Sequence, residues 1–205
     1  MAGHNLATYL NDHLAGSVVA LEMPEAIAEM ARIAGLEVPV FVERYWKHRL
    51  AYDRGCDARM YWSTVAGPDL TDGMLRELTR LDVAGWSHLN EATLEVLAAN
   101  HDDGASLSLL SNAPRDLARV LTDHPALRNF DHLLFSSQLG VAKPDPAAFE
   151  AAVERLSRPR EQIVFIDDRP ENVEAARRVG LRAVQFTSAA RLRTELCELR
   201  AELAG

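Results

Sequence analysis

An α/β fold is predicted for this chain: a doubly wound parallel sheet with a helical segment inserted into it. Beyond Gly104, short apolar runs alternate with helical patterns, as parallel strands joined by crossover helices require. Between about Pro24 and Asn100 every strong signal is helical. The 205 residues are 48% hydrophobic and 25% charged, which suits one globular domain with a modest insertion and enough apolar material for a core.

The elements follow in order. Residues 1–23 carry Leu6, Leu10, Leu14, Val18 and Leu21 at helical spacing, so this atypical N-terminal stretch reads as an amphipathic helix. The run Tyr9-Leu-Asn-Asp-His-Leu-Ala-Gly-Ser-Val18 resembles the opening helix of small ferritin-like bundle proteins. Residues 24–100 form the inserted helical unit. Pro24 suits a first helical turn, Ala26, Ile27, Met30 and Ile33 continue it, and Gly35 ends it. Phe41, Tyr45, His48 and Tyr52 make a second stripe, and shorter helices are expected around Tyr61, at Leu75–Leu81 and from Asn90 to Ala99. Residues 101–205 form the sheet core. Strands are expected at Ser106–Leu110, His132–Ser136, Ile163–Ile166 and Arg182–Phe186. Helices are expected at Arg115–Leu121, Pro146–Leu156, Glu171–Val179 and from Ala189.

Composition excludes some functions. A net charge of −8 disfavours a nucleic-acid partner and gives no attraction to anionic membranes. No apolar run approaches membrane-spanning length, and no basic-then-apolar leader opens the chain, so a cytoplasmic protein is expected. The two cysteines, Cys56 and Cys197, fit no metal motif or disulfide framework.

In a parallel α/β sheet the ligand site lies at the carboxyl ends of the strands. Ser111-Asn112 and Asp167-Asp168 stand at two such ends, and Lys143 lies in the loop Gly140-Val-Ala-Lys-Pro-Asp-Pro146. The carboxylates could hold a hard cation such as Mg2+, and the serine and lysine could hold phosphate oxygens. Blander readings exist for each: a turn or cap at Ser111-Asn112, a solvated lysine, an N-cap pair at Asp167-Asp168. Two adjacent acids directly after an Ile-Val-Phe-Ile strand, and a lysine that is one of two against twenty arginines, favour the site. Arg44, Lys47, Arg49 and Arg54 read as a solvated helix face, and Tyr45, Trp46, Tyr61 and Trp62 as packing.

These residues carry a resemblance to the haloacid dehalogenase superfamily of hydrolases, in the group with a small helical cap. Leu109-Leu-Ser-Asn-Ala-Pro114 is similar to its second motif, Val141-Ala-Lys-Pro144 to its third, and Val164-Phe-Ile-Asp-Asp168 with Arg169-Pro-Glu-Asn172 to its fourth. The resemblance covers roughly residues 24–205. It implies a Mg2+-dependent phosphatase of a small phosphorylated metabolite. Ser111, Asn112 and Lys143 would bind phosphate, Ser111 and Lys143 with catalytic roles, Asp167 and Asp168 would hold the metal, and Asn172 would shape the loop. The paired aspartates point away from the metal-free 2-haloacid dehalogenases. The segment Tyr45–Arg54 resembles that of sugar-phosphate phosphatases and of the epoxide hydrolase phosphatase domain.

The family's first motif, an aspartate nucleophile ending the first strand with a second acid two residues later, has no match. Two readings stand. Either residues 1–23 replace the first strand and the nucleophile is lost, or the segment still enters the sheet. In the second case Gly16-Ser-Val-Val19 aligns so that Leu14 takes the nucleophile position and Asp12 is the nearest carboxylate. Ser17–Leu21 could fill the strand slot. The alternative function is a catalytically inactive relative with a binding or regulatory role.

Overall fold

The computed structural model describes residues 7–10 and 16–204, with side chains from 24 to 202. Strand β1 (Ala7–Leu10) is followed by helices α1 (Gly16–Ala34), α2 (Val38–Asp53), α3 (Ala58–Ala66), α4 (Asp72–Trp86) and α5 (Glu91–Asp102). The remainder alternates: β2 (Ser106–Ser111), α6 (Arg115–Thr122), β3 (His132–Phe135), α7 (Ser136–Leu139), α8 (Pro146–Leu156), β4 (Ile163–Asp167), α9 (Pro170–Arg178), β5 (Arg182–Gln185) and α10 (Ala189–Ala204).

The strands form one sheet in the order β3-β2-β1-β4-β5, with every neighbouring pair parallel. Parallel neighbours need crossover connections, and the helices between strands supply them. Successive residues of a strand face opposite sides, and the apolar residues divide accordingly. Leu107 and Leu109 of β2 and Val164 and Ile166 of β4 pack on one face with Val96 and Leu97 of α5, Leu117 and Leu121 of α6 and Leu192 and Leu196 of α10. Leu110, Ile163 and Phe165 pack on the other face with Phe149, Ala152 and Leu156 of α8 and Ala175 and Ala176 of α9. The doubly wound sheet is therefore as expected. Helix α5 packs on it, although its sequence pattern continues that of the inserted helices.

The N-terminal stretch differs from the helical expectation. Ala7–Leu10 is a strand at the centre of the sheet, with Leu10 in register with Leu109 on one side and Ile166 on the other. Ser17–Leu21 lies inside α1 and fills no strand slot. Helix α1 begins at Gly16, so Pro24 sits within the helix and not in its first turn. The leucine spacing misleads for a simple reason. Residues 6, 10, 14 and 18 recur every four positions, and four fits a helical face but is also a multiple of the two-residue strand period. What decides is the slot itself: β2 and β4 each present backbone N–H and C=O groups that a fifth strand must satisfy.

Helices α1 to α4 surround a third cluster of their own, with Met30, Phe41, Tyr45, Tyr52, Tyr61, Trp62 and Leu78 almost fully buried. Tyr52 stacks on Tyr61 with ring centroids 4.2 Å apart. Among the described residues no helix is long and apolar enough to cross a membrane.

Two outcomes follow from this packing. Phe149 is fully buried and meets Phe165 edge-on at 5.1 Å. Phe149→Ala should therefore lower the unfolding free energy by about 3–5 kcal/mol, read from urea transitions. Burial is also the largest cause raising the phenol pKa of Tyr45, Tyr52 and Tyr61 above the usual 10.0. The folded chain keeps these phenols neutral while the unfolded chain ionises them. Stability present below pH 10 is therefore lost as pH rises beyond it. The urea midpoint should be clearly lower at about pH 10.5 than at about pH 8.

Candidate active site

The carboxyl edge of the sheet gathers the sequence-predicted residues. Ser111 ends β2, and Asp167 ends β4. Both are buried, as are Lys143 and Asn172. Lys143 is held from every direction the fold offers. Its Nζ donates to the Leu110 carbonyl at 2.6 Å and lies 3.4 Å from Asp167 Oδ2. Its backbone N–H donates to Asn112 Oδ1 and its carbonyl accepts from Asn112 Nδ2, both at 2.9 Å. Asn112 therefore locks the loop after β2 to the loop that carries the lysine.

Asp167 is the centre of the second half of this arrangement. Asn172 Nδ2 donates to its Oδ2 and the Arg169 N–H to its Oδ1, each at 2.9 Å. The expectation grouped Asp167 with Asp168 as metal ligands. Here the two differ in situation. Asp167 is turned inward onto Lys143, Asn172 and the start of α9, whereas Asp168 is half-buried and lines an open cleft. Asn172, expected to shape the loop, meets the Asp167 carboxylate. Asp12 lies outside the described residues. The residues directly after β1 in the sequence are Asn11, Asp12 and His13, so the end of the first strand falls four positions before Leu14.

The cleft, about 420 Å3 in volume, is lined by Trp46, Arg49, Asp53, Trp86, Asn112, Asp168 and Arg169. Its size falls within the range of small-molecule sites. Sequence reasoning missed the wall contributed by the inserted helices. Arg49 is 5% exposed and belongs to no solvated face. Its Nε donates to Asp53 Oδ1 at 2.8 Å, and its Nη1 donates to Asp82 Oδ1 at 2.7 Å and to the Tyr45 hydroxyl. The Tyr45 hydroxyl donates to Asp82 Oδ1 at 2.5 Å and accepts from Trp86 Nε1 at 2.8 Å. Burial alone would lower the pKa of Arg49, but Asp53 and Asp82 outweigh it and raise the pKa well above the usual value. One signal was available: Tyr45, Arg49 and Asp53 are spaced by four, on one face of α2. Trp46 is 50% exposed and faces the cleft, where packing alone was expected.

The wall is seated on the sheet by one hydroxyl and one glycine. Ser136 Oγ accepts the Ala113 N–H at 2.9 Å and donates to the Asp53 carbonyl at 2.5 Å. Gly55 has φ +97°, and a Cβ there would stand 2.8 Å from the Ser137 carbonyl oxygen, so only glycine allows the end of α2 to approach this closely.

Residues 4–180 match the haloacid dehalogenase-like hydrolases, from just before β1 to the end of α9. The chain belongs to that family. The match reaches further towards the N-terminus than the motifs alone did, so the first strand is included in the likeness. Among curated relatives of this hydrolase, phosphatase MT3486 of Mycobacterium tuberculosis is 28% identical over 177 residues, covering 82% of each chain. Drimenol cyclase of Aspergillus calidoustus is 36% identical over 106 residues, 52% of this chain but only 16% of the cyclase. A family enzyme of Bacteroides thetaiotaomicron, solved with magnesium and inorganic phosphate, superposes with a TM-score of 0.60 at 17% identity, covering 89% of this chain and 93% of that one. At that identity the likeness concerns the fold.

The buried pair gives a direct test of the site's architecture. Lys143→Met leaves the Asp167 carboxylate without its cation and should cost about 3–5 kcal/mol in urea unfolding. The double variant with Asp167→Asn should cost clearly less than the two single losses combined, because neither partner is then left charged and alone.

Proposed function

We propose that this hydrolase cleaves small phosphate monoesters at the cleft over the carboxyl ends of β2 and β4. The observation that carries the reading is the placement of Lys143. A buried ammonium is held beside the end of β2 by Asp167 and the Leu110 carbonyl, with Ser111 next in the chain and Asp168 opening onto the cleft. A lysine is costly to bury and is not placed there for packing. The phosphatase relative that aligns along most of both chains supports the same reading.

The charges of the cleft lining bear on the cofactor. Arg49 and Arg169 are matched by Asp53 and Asp168, so the lining alone offers a phosphate dianion no net attraction. Among the described residues no group of three His, Cys, Asp or Glu side chains is arranged to hold a metal. Mg2+ does not need three. It is commonly held by one or two carboxylates, with water and substrate phosphate completing its shell. The hard oxygen donor of Asp168 on the cleft lining fits it, while Asp167 is engaged with Lys143. Bound there, Mg2+ would supply the positive charge that phosphoryl oxygens require. Ser111 and Asn112 would bind phosphoryl oxygens beside Lys143, which stabilises the charge developing on them. Asp167 and Asn172 keep that lysine and the Asp168 loop in place. In this reading Asp12 attacks phosphorus, the ester oxygen leaves with the bonding pair and takes a proton, and water then hydrolyses the aspartyl-phosphate.

A second reading is favoured by one feature: Asn11-Asp12-His13 follows β1 where the family carries Asp-x-Asp. In that reading the cleft binds phosphorylated ligands without turning them over. Hydrolysis of an aryl phosphate with Mg2+ separates the two. Turnover should disappear with chelator, fall by about 100-fold or more in Asp168→Asn, and be abolished in Asp12→Ala. Full activity in Asp12→Ala removes that residue as nucleophile, and background rates in the unaltered protein establish the silent relative.

A further inference from the structure

We infer that the cleft selects phosphate monoesters whose leaving group is an uncharged ring, seated against the indoles of Trp46 and Trp86. The inference rests on the phosphate-monoester reading above and specifies its ligand. Two of the chain's three tryptophans line this cleft, while Trp62 is fully buried elsewhere. Trp46 leaves half of its surface open, and that surface is braced. Its ring meets Trp86 edge-on at 6.1 Å and Tyr45 edge-on at 5.0 Å. A braced, half-exposed indole on the cleft lining gains most by covering itself with another flat or ring-shaped apolar face, and it loses little side-chain freedom in doing so.

The charge on the same wall selects against acidic leaving groups. The Arg49 guanidinium lies 5.3 Å from the Trp86 ring centroid, but it already answers two carboxylates, Asp53 and Asp82. The three charged groups together carry one net negative charge. Across the cleft, the Arg169 side chain is paired with Glu171. Among the described residues lining the cleft, every cation already answers a carboxylate, so an acidic leaving group would meet competition there and a neutral ring would not. Aromatic and sugar rings share the required chemistry, an uncharged ring with an apolar face.

The test is a binding titration of the full chain with Mg2+, followed by tryptophan emission. The ligands are inorganic phosphate and the non-hydrolysable phosphonate analogues of an aryl ester, a hexose ester and a glycolate ester. Trp46 and Trp86 line the cleft and report on its occupancy. At least one ring analogue should bind about tenfold or more tightly than the glycolate analogue, and Trp46→Ala should remove most of that preference. The order of the two ring analogues tells an aryl from a sugar ligand. Equal or tighter binding of the glycolate analogue overturns the inference, as does a preference untouched by Trp46→Ala. Phosphate binding without ring preference overturns this inference alone. Failure of phosphate itself to bind overturns the phosphate-monoester reading with it.

Discussion

Asp167 ends the strand β4 with a wholly buried carboxylate, and a buried charge persists only where opposite charge and hydrogen-bond donors surround it. Among the described residues, Lys143, Asn172 and Arg169 come to it from three places in the chain. Lys143 arrives on the loop before α8, Asn172 from the first turns of α9, and the Arg169 N–H from the link between β4 and α9. Satisfying one carboxylate therefore fixes the lysine loop, the start of a helix and the direction in which the next residue, Asp168, leaves the sheet. The apolar strand Ile163–Asp167 places that charge at the edge where the crossover topology puts ligands. The arrangement at the cleft follows from compensating a single desolvated charge.

The inserted helices obey the same constraint at a second site. Arg49 could not lie among Tyr45, Tyr52 and Trp86 without Asp53 on its own helix and Asp82 on α4. That network ties α2 to α4 and brings both helices to the cleft with an aromatic, slightly acidic wall. The Ser136 hydroxyl and the close approach at Gly55 then join the end of α2 to the sheet. The helices' cluster reaches the cleft through Arg49 and Asp53, and the sheet's cluster adjoins it through Asp168 and Asn112, neighbours of Asp167 and of the Lys143 loop.

Most of the fold from α2 onward was readable, because its signals are local. A helix shows its face every three or four residues, a buried parallel strand shows as a short apolar run, and Gly or Pro marks the boundaries. The positions of the candidate residues Ser111, Asn112, Lys143, Asp167, Asp168 and Asn172 at the carboxyl edge were readable because each follows a recognisable strand or lies in a recognisable loop. The first strand was not. Its four-residue leucine spacing suits helix and strand alike, and the local pattern holds no information about the vacant slot between β2 and β4.

By itself, then, the sequence determined the class of fold, the alternation of strands and helices beyond Gly104, and the list of polar residues at the strand ends. These depend on periodicity and on neighbours in the chain. Only the tertiary structure decided that Ala7–Leu10 completes the sheet, that Asp167 turns inward while Asp168 faces the cleft, and that Arg49 is buried and Trp46 half-exposed at the cleft. Each of these depends on groups brought together from distant parts of the chain: the pairing edges of β2 and β4, Lys143 opposite Asp167, and Asp82, 33 residues from Arg49. Burial and charge compensation are properties of the assembled surroundings, and a linear pattern does not contain them.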